Sequence, residues 1–96
     1  MWTLSAPLGS PSNPVKAHMP AGQREYLRRL RCPDGEPPKF ERVGSLGPGP
    51  YGKIIDGYKL ECPGAEPSWV VMDMYHPGYR ETAPVPGFSL APEPAR

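Results

Sequence analysis

Residues 53–76 read KIIDGYKLECPGAEPSWVVMDMYH, and they decide the fold because they hold two strand patterns separated by a short loop. From residue 56 to residue 62, apolar and polar side chains alternate, as expected of a strand with one buried face. Residues 68–76 are largely apolar on both faces, which is typical of a central strand. The intervening residues 63–67 fit a hairpin loop. The stretch therefore predicts an antiparallel hairpin made of residues 53–62 and 68–76.

A helix and one more strand are predicted to precede this hairpin. Residues 21–31 carry apolar and amide side chains at the spacing of one helical face, and Pro33 ends the pattern. Residues 39–44 form a short strand pattern. Because neither the helix nor the apolar strand can bury its apolar face alone, we expect an α+β fold in which one short N-terminal helix packs on a three-stranded antiparallel meander. The predicted core is Tyr26, Leu27, Leu30, Phe40, Tyr58, Leu60, Val70, Met72 and Met74.

Proline and glycine set the predicted domain boundaries. The 96 residues include 16 prolines and 11 glycines, a content usually seen in low-complexity chains. Residues 1–20 are predicted to be a Pro-rich N-terminal arm and residues 83–96 a Pro-rich C-terminal tail. This leaves a small α+β domain over residues 21–82, and domains of that size commonly need a covalent staple.

Cys32 and Cys62 are the only cysteines, and each follows a leucine by two positions and precedes a proline. In the predicted meander, Cys32 comes just before the first strand and Cys62 ends the second, so both lie at the same end of the sheet. We therefore expect a disulfide that staples the fold. Since disulfides are rare in the cytosol, it predicts a periplasmic or secreted protein. The alternative is two free thiols in a cytosolic protein.

Further sequence features bear on location and partners. Residues 1–6 lack the basic region and apolar run of a signal peptide. If the protein is exported, we therefore expect this chain to be a mature or trimmed form. No segment approaches the length of a membrane span. The net charge is +1 with 22% charged residues, which argues against a nucleic-acid partner because such proteins present a strongly basic face.

Two loops rich in glycine or proline, residues 44–52 and 76–80, are predicted to meet at the opposite end of the sheet from the cysteines. Such loops on a rigid scaffold often carry binding sites. Aromatic rings beside cations can hold a peptide, a sugar or a carboxylate. The alternative is that the two tyrosines of these loops cap the core and the loops are ordinary turns. The predicted binding site consists of Tyr51, Lys53, His76, Tyr79 and Arg80.

Asp73, Tyr75 and His76 are the one grouping that resembles acid–base machinery. As long as the strand continues to His76, Asp73 and His76 point to opposite faces and cannot address the same substrate atom. Neither Ser45 nor Ser68 lies in a nucleophile-elbow motif. We therefore predict no catalytic residue and consider an enzyme the less favoured reading.

Metal and cofactor motifs are equally weak. His18, Cys32, Cys62 and His76 have no close ligand pair, and Cys62 and His76 lie at opposite ends of the predicted sheet, so no zinc site is expected. Residues 47–52 match the glycine spacing of a dinucleotide-binding loop. However, the two prolines in that loop remove amide donors and no helix follows, so we expect no cofactor.

Four short motifs stand out along residues 13–90. They are residues 26–35 with Leu-Arg-Cys-Pro-Asp-Gly, residues 49–52 (Gly-Pro-Tyr-Gly), residues 72–79 (Met-Asp-Met-Tyr-His-Pro-Gly-Tyr) and residues 85–88 (Val-Pro-Gly-Phe). Together they resemble a family of small uncharacterised secreted bacterial proteins. The resemblance implies export and a paired Cys32–Cys62, and it implies no activity and no functional residue.

These observations favour a non-enzymatic binding or inhibitory module of the bacterial cell envelope that acts on another protein, or on a peptide or saccharide ligand. Loops stiffened by proline lose little conformational entropy on binding, which suits such a role. One alternative is a structural or accessory domain of a larger assembly. A less favoured alternative is a small hydrolase-type enzyme that uses Asp73 and His76.

Overall fold

The computed structural model describes residues 6–92, which form one helix and six strands. In chain order the elements are β1 (Val15–Lys16), α1 (Met19–Arg29), β2 (Leu30–Arg31), β3 (Lys39–Pro48), β4 (Ile54–Glu61), β5 (Ser68–Asp73) and β6 (Ser89–Leu90). Mixed α+β architecture with a single helix is thus confirmed.

The main sheet has four strands in the order β1-β5-β4-β3. The antiparallel pairs β3–β4 and β4–β5 agree with the sequence, but β1 lies parallel to β5, with Val15 opposite Met72. The predicted three-stranded meander is therefore wrong. The physical reason is the open edge of β5, whose backbone groups need partners: the Asp73 carbonyl accepts a hydrogen bond of 2.8 Å from the Ala17 amide.

Helix α1 begins two residues earlier than the pattern predicts. Pro20 sits in its first turn, where the missing N–H of proline needs no partner. The helix ends at Arg29 because Leu30 adopts extended backbone angles and pairs with Leu90 in a second, two-stranded antiparallel sheet of β2 and β6. The segment that the sequence assigns to a Pro-rich tail therefore contributes a strand.

The core lies between α1 and the inner face of β4 and β5. Seven of the predicted core residues are buried there, and Phe40 packs against them while partly exposed. Met74 is only half-buried and lies outside this cluster, because β5 ends at Asp73. Two further residues of the buried cluster, Val15 and Val85, lie outside the predicted domain of residues 21–82. The boundaries of that domain remain a prediction. The buried cluster is Val15, Tyr26, Leu27, Leu30, Tyr58, Leu60, Val70, Met72 and Val85.

The predicted disulfide is present between Cys32 and Cys62, with a Cα–Cα distance of 5.8 Å. Cys32 follows β2 directly and Cys62 follows β4 directly, so the bond ties the turn after the small sheet to one end of the main sheet. It closes a chain segment with a sequence separation of 30. Within residues 6–92, no helix is long and apolar enough to cross a membrane.

A buried polar network joins α1 to the sheet. The Gln23 amide donates a hydrogen bond of 3.1 Å to Asp56 Oδ2, and the Tyr58 hydroxyl donates one of 2.8 Å to Gln23 Oε1. Arg42 reaches over from β3 and pairs with Asp56 Oδ1 at 2.8 Å. Burial, and secondarily the negative charge of Asp56, raises the pKa of Tyr58 above its ordinary value. The network satisfies the polar groups that the helix–sheet interface buries.

Candidate binding site

The β3–β4 loop and the segment after β5 lie together at one end of the sheet. The rings of Tyr51 and His76 meet edge to face, with their centroids 4.9 Å apart. His76 is held in place by its backbone, whose amide donates a hydrogen bond of 3.1 Å to the Ala17 carbonyl. Two of the residues that the sequence assigned to a site are thus in direct contact.

Lys16 links these two segments. Its Nζ atom lies 5.1 Å from the centroid of the Tyr51 ring and 5.2 Å from that of Tyr79, which are cation–π distances. Hydrogen bonding to the Tyr51 side chain is the main cause that raises the pKa of Lys16 above its ordinary value. Pairing of Lys16 opposite Asp73 in the β1–β5 ladder positions this side chain.

An open groove of about 300 Å³ runs beside Lys16, between α1 and residues 78–81. We call it the Lys16 groove and define it by Lys16, Glu25, Arg29, Tyr79, Arg80 and Glu81, which are among its lining residues. Tyr51 lies beside the groove, because its ring contacts the ammonium group of Lys16. Tyr51 and Tyr79 keep 48% and 40% of their surface exposed, and neither belongs to the core cluster.

The helix holds the far wall of the groove in place. Arg80 pairs with Glu25 of α1 at 2.9 Å. The Arg29 guanidinium donates hydrogen bonds to the carbonyl oxygens of Ala91, at 3.1 Å, and Glu81, at 3.4 Å. The Tyr26 hydroxyl donates one of 2.8 Å to the Ala83 carbonyl. These contacts make a fixed wall from a segment without regular secondary structure.

Of the predicted site residues, Lys53 is the one placed apart. Its carbonyl accepts a hydrogen bond of 2.7 Å from the Gly49 amide and so closes the tip of the β3–β4 loop. Lys53 is not among the described residues that line the groove. Tyr79 and Arg80 line the groove directly, and His76 supports it through Tyr51.

Sequence reasoning missed Lys16 entirely. The residue lies among prolines and small residues, in a range assigned to an arm, and a single lysine there carries no periodic signal. Only the parallel pairing of β1 with β5 brings it between the two tyrosines. No local feature of the sequence indicates that pairing, because a strand of two residues has no alternation to detect.

Asp73 and His76 lie closer together than a continuous strand allows. Strand β5 ends at Asp73, the Tyr75 amide donates to Asp73 Oδ1 at 3.0 Å, and His76 Nε2 then lies 3.3 Å from Asp73 Oδ2. The two atoms are within ion-pair range but are not aligned as a hydrogen bond. Asp73 is fully buried and His76 Nε2 is buried as well, so the contact between them is closed off from solvent.

The described residues hold no metal-binding cluster, and the chain has no match among known proteins. No group of three or more His, Cys, Asp or Glu side chains within residues 6–92 is arranged to hold a metal ion. No protein-family model, curated protein or solved structure matches the chain. The resemblance to small secreted bacterial proteins stays a prediction.

Proposed function

We propose that this protein is a non-enzymatic binding or inhibitory module of the bacterial cell envelope, and that it holds a partner protein at the Lys16 groove. One observation carries the proposal: the Lys16 ammonium lies between two half-exposed tyrosine rings, at 5.1 and 5.2 Å, beside an open groove. Tyrosine and arginine are the residue types that most often anchor protein interfaces.

The scaffold suits binding without catalysis. Tyr51 is held by His76, Arg80 by Glu25, and the wall of the groove by Arg29 and Tyr26. Side chains that are already ordered lose less conformational entropy when a partner binds, so more of the contact energy contributes to affinity.

A location outside the cytoplasm is supported by the Cys32–Cys62 disulfide. The cytosol keeps most thiols reduced, whereas the periplasm and the exterior allow disulfides to persist. The partner is therefore sought among envelope and secreted proteins.

The experiment is affinity capture from an envelope extract of the source organism. Wild-type protein is expected to retain a defined partner, and the double variant Tyr51→Ala with Tyr79→Ala is expected to lose it. Trp69→Ala is the matched control, because Trp69 is a more exposed aromatic residue that lies at the other end of β5 from the groove. Circular dichroism checks that all variants are folded.

Two outcomes contradict the proposal. Retention of the same partner by the double variant would show that binding does not use these rings. Failure of wild type to retain anything, together with self-association in light scattering, would favour the alternative of a structural or accessory domain.

The hydrolase alternative has one observation in its favour, the 3.3 Å contact between Asp73 and His76. An Asp–His pair can orient a general base, but the base must reach a nucleophile or a water. In residues 6–92, no serine or threonine hydroxyl forms a hydrogen bond with His76. The binding function is therefore the better supported of the two.

A further inference from the structure

The Lys16 groove carries more cationic than anionic side chains. Lys16, Arg29 and Arg80 line it on the cationic side, and Glu25 and Glu81 line it on the anionic side. A ligand of negative charge is therefore favoured over a positive one by simple charge balance.

Both carboxylates of the groove already have partners within the chain. Glu25 pairs with Arg80 at 2.9 Å. Glu81 Oε2 accepts hydrogen bonds from the amides of Thr82, at 3.2 Å, and Ala83, at 3.3 Å, and Oε1 accepts one of 3.4 Å from the Tyr79 hydroxyl. Neither carboxylate contacts the Lys16 ammonium, although the charge of Glu81 acts on it from a distance.

Lys16 consequently keeps hydrogen-bonding capacity that the described chain does not use. Among residues 6–92, no carboxylate oxygen lies within 4.0 Å of its Nζ atom. An ammonium group has three donors, and tyrosine faces attract the charge without accepting all of them. Because Lys16 lines the open groove, an acceptor on a ligand bound there can reach these donors.

We infer that the Lys16 groove recognises a carboxylate of the partner protein, which accepts hydrogen bonds from the Lys16 ammonium while the adjoining peptide packs on Tyr51 and Tyr79. This inference rests on the proposed function and adds the chemistry of the ligand. A charge-assisted hydrogen bond to a carboxylate is stronger than one between neutral groups, and the flanking rings supply apolar contact for the peptide. The carboxylate can belong to an aspartate or glutamate side chain or to a chain terminus.

The test is a titration of ¹⁵N-labelled protein with synthetic octapeptides, followed by backbone amide shifts. One peptide alternates glutamate with glycine and is capped at both ends; a second replaces every glutamate with glutamine; a third is the glutamine peptide with a free C-terminal carboxylate. We expect saturable shifts around Lys16, Glu25 and Tyr79, which line the groove, with the first or third peptide, and about tenfold weaker binding of the capped glutamine peptide. Whichever of the two acidic peptides binds identifies the source of the carboxylate.

Charge at position 16 provides the matched controls. Lys16→Gln is expected to weaken the acidic peptide about tenfold, and Lys16→Arg to retain most of the binding. Equal binding by wild type and Lys16→Gln, tighter binding of a lysine-containing octapeptide, or no saturable shift with either acidic peptide would overturn the inference. If partner capture still depends on Tyr51 and Tyr79 in that case, the proposed function stands and only the carboxylate is wrong.

Discussion

Arg42 closes over a carboxylate that the fold has buried. Its side chain is 52% exposed, whereas that of Asp56 is 3% exposed, and the two are 2.8 Å apart. Removal of the guanidinium leaves Asp56 with Gln23 as its remaining side-chain partner. We expect Arg42→Ala to lower the free energy of unfolding by about 1–2 kcal/mol, a value reduced by the solvent that reaches the arginine. Urea unfolding followed by circular dichroism measures it.

The matched control is Lys59→Ala, which breaks an ion pair on the same sheet. Lys59 and Glu61 are 3.6 Å apart and both are partly exposed. Exposed pairs contribute little, so the change in the free energy of unfolding is expected to stay within about 0.5 kcal/mol. Equal losses in the two variants would contradict the view that burial of Asp56 makes the difference.

At the scale of elements, two glycines respond oppositely to the same substitution. Gly22 lies inside α1, and an added Cβ would find its nearest neighbour, Ala17 Cβ, at an ordinary contact distance of 3.6 Å. We expect Gly22→Ala to raise the free energy of unfolding by about 0.5–1 kcal/mol, because alanine loses less backbone entropy in a helix. Thermal and urea unfolding provide the measurement.

Gly49 in the β3–β4 loop is the counterpart. A Cβ at this position would collide with the side chain of Ile55, which is buried. Gly49→Ala is therefore expected to lower the free energy of unfolding by about 1–3 kcal/mol through overpacking. A stabilised Gly49→Ala, or a destabilised Gly22→Ala, would show that the loop or the helix packs differently from the arrangement described.

For the whole molecule, the disulfide compensates for a small core. The bond between Cys32 and Cys62 spans a sequence separation of 30. In the chain-entropy account, closing a loop of this length stabilises the folded state by about 3–4 kcal/mol. We expect the double variant Cys32→Ser with Cys62→Ser to lose about that much in urea unfolding.

Reduction provides the control for this prediction. A reductant should lower the unfolding midpoint of the wild type and leave that of the double serine variant unchanged. Intact mass after alkylation of protein prepared under oxidising conditions should show no modified thiol. Two alkylated thiols in that sample, or a midpoint insensitive to reduction, would contradict the stapled fold.

Local patterns in the sequence were sufficient for the elements that are long enough to show a period. The alternation of Tyr58 and Leu60, and the doubly apolar run of β5, predicted a hairpin that the structure confirms. The helical spacing of Tyr26 and Leu27 predicted the buried face of α1, whereas Leu30, which was assigned to the same helix, is buried as part of β2. The matching contexts of the two cysteines, and their predicted positions at the same end of the sheet, predicted the disulfide that the structure contains.

The short elements and the centre of the candidate site were decided by tertiary structure alone. β1 and β6 have two residues each, so no periodic pattern marks them. Their positions follow from long-range pairing: the open edge of β5 pairs with Val15–Lys16, and β6 pairs with β2, with Leu90 opposite Leu30. Lys16 reaches Tyr51 and Tyr79 only through that edge pairing. The sequence by itself therefore determined the hairpin, the helix and the staple, whereas backbone hydrogen bonds and burial between distant segments placed the cation of the groove.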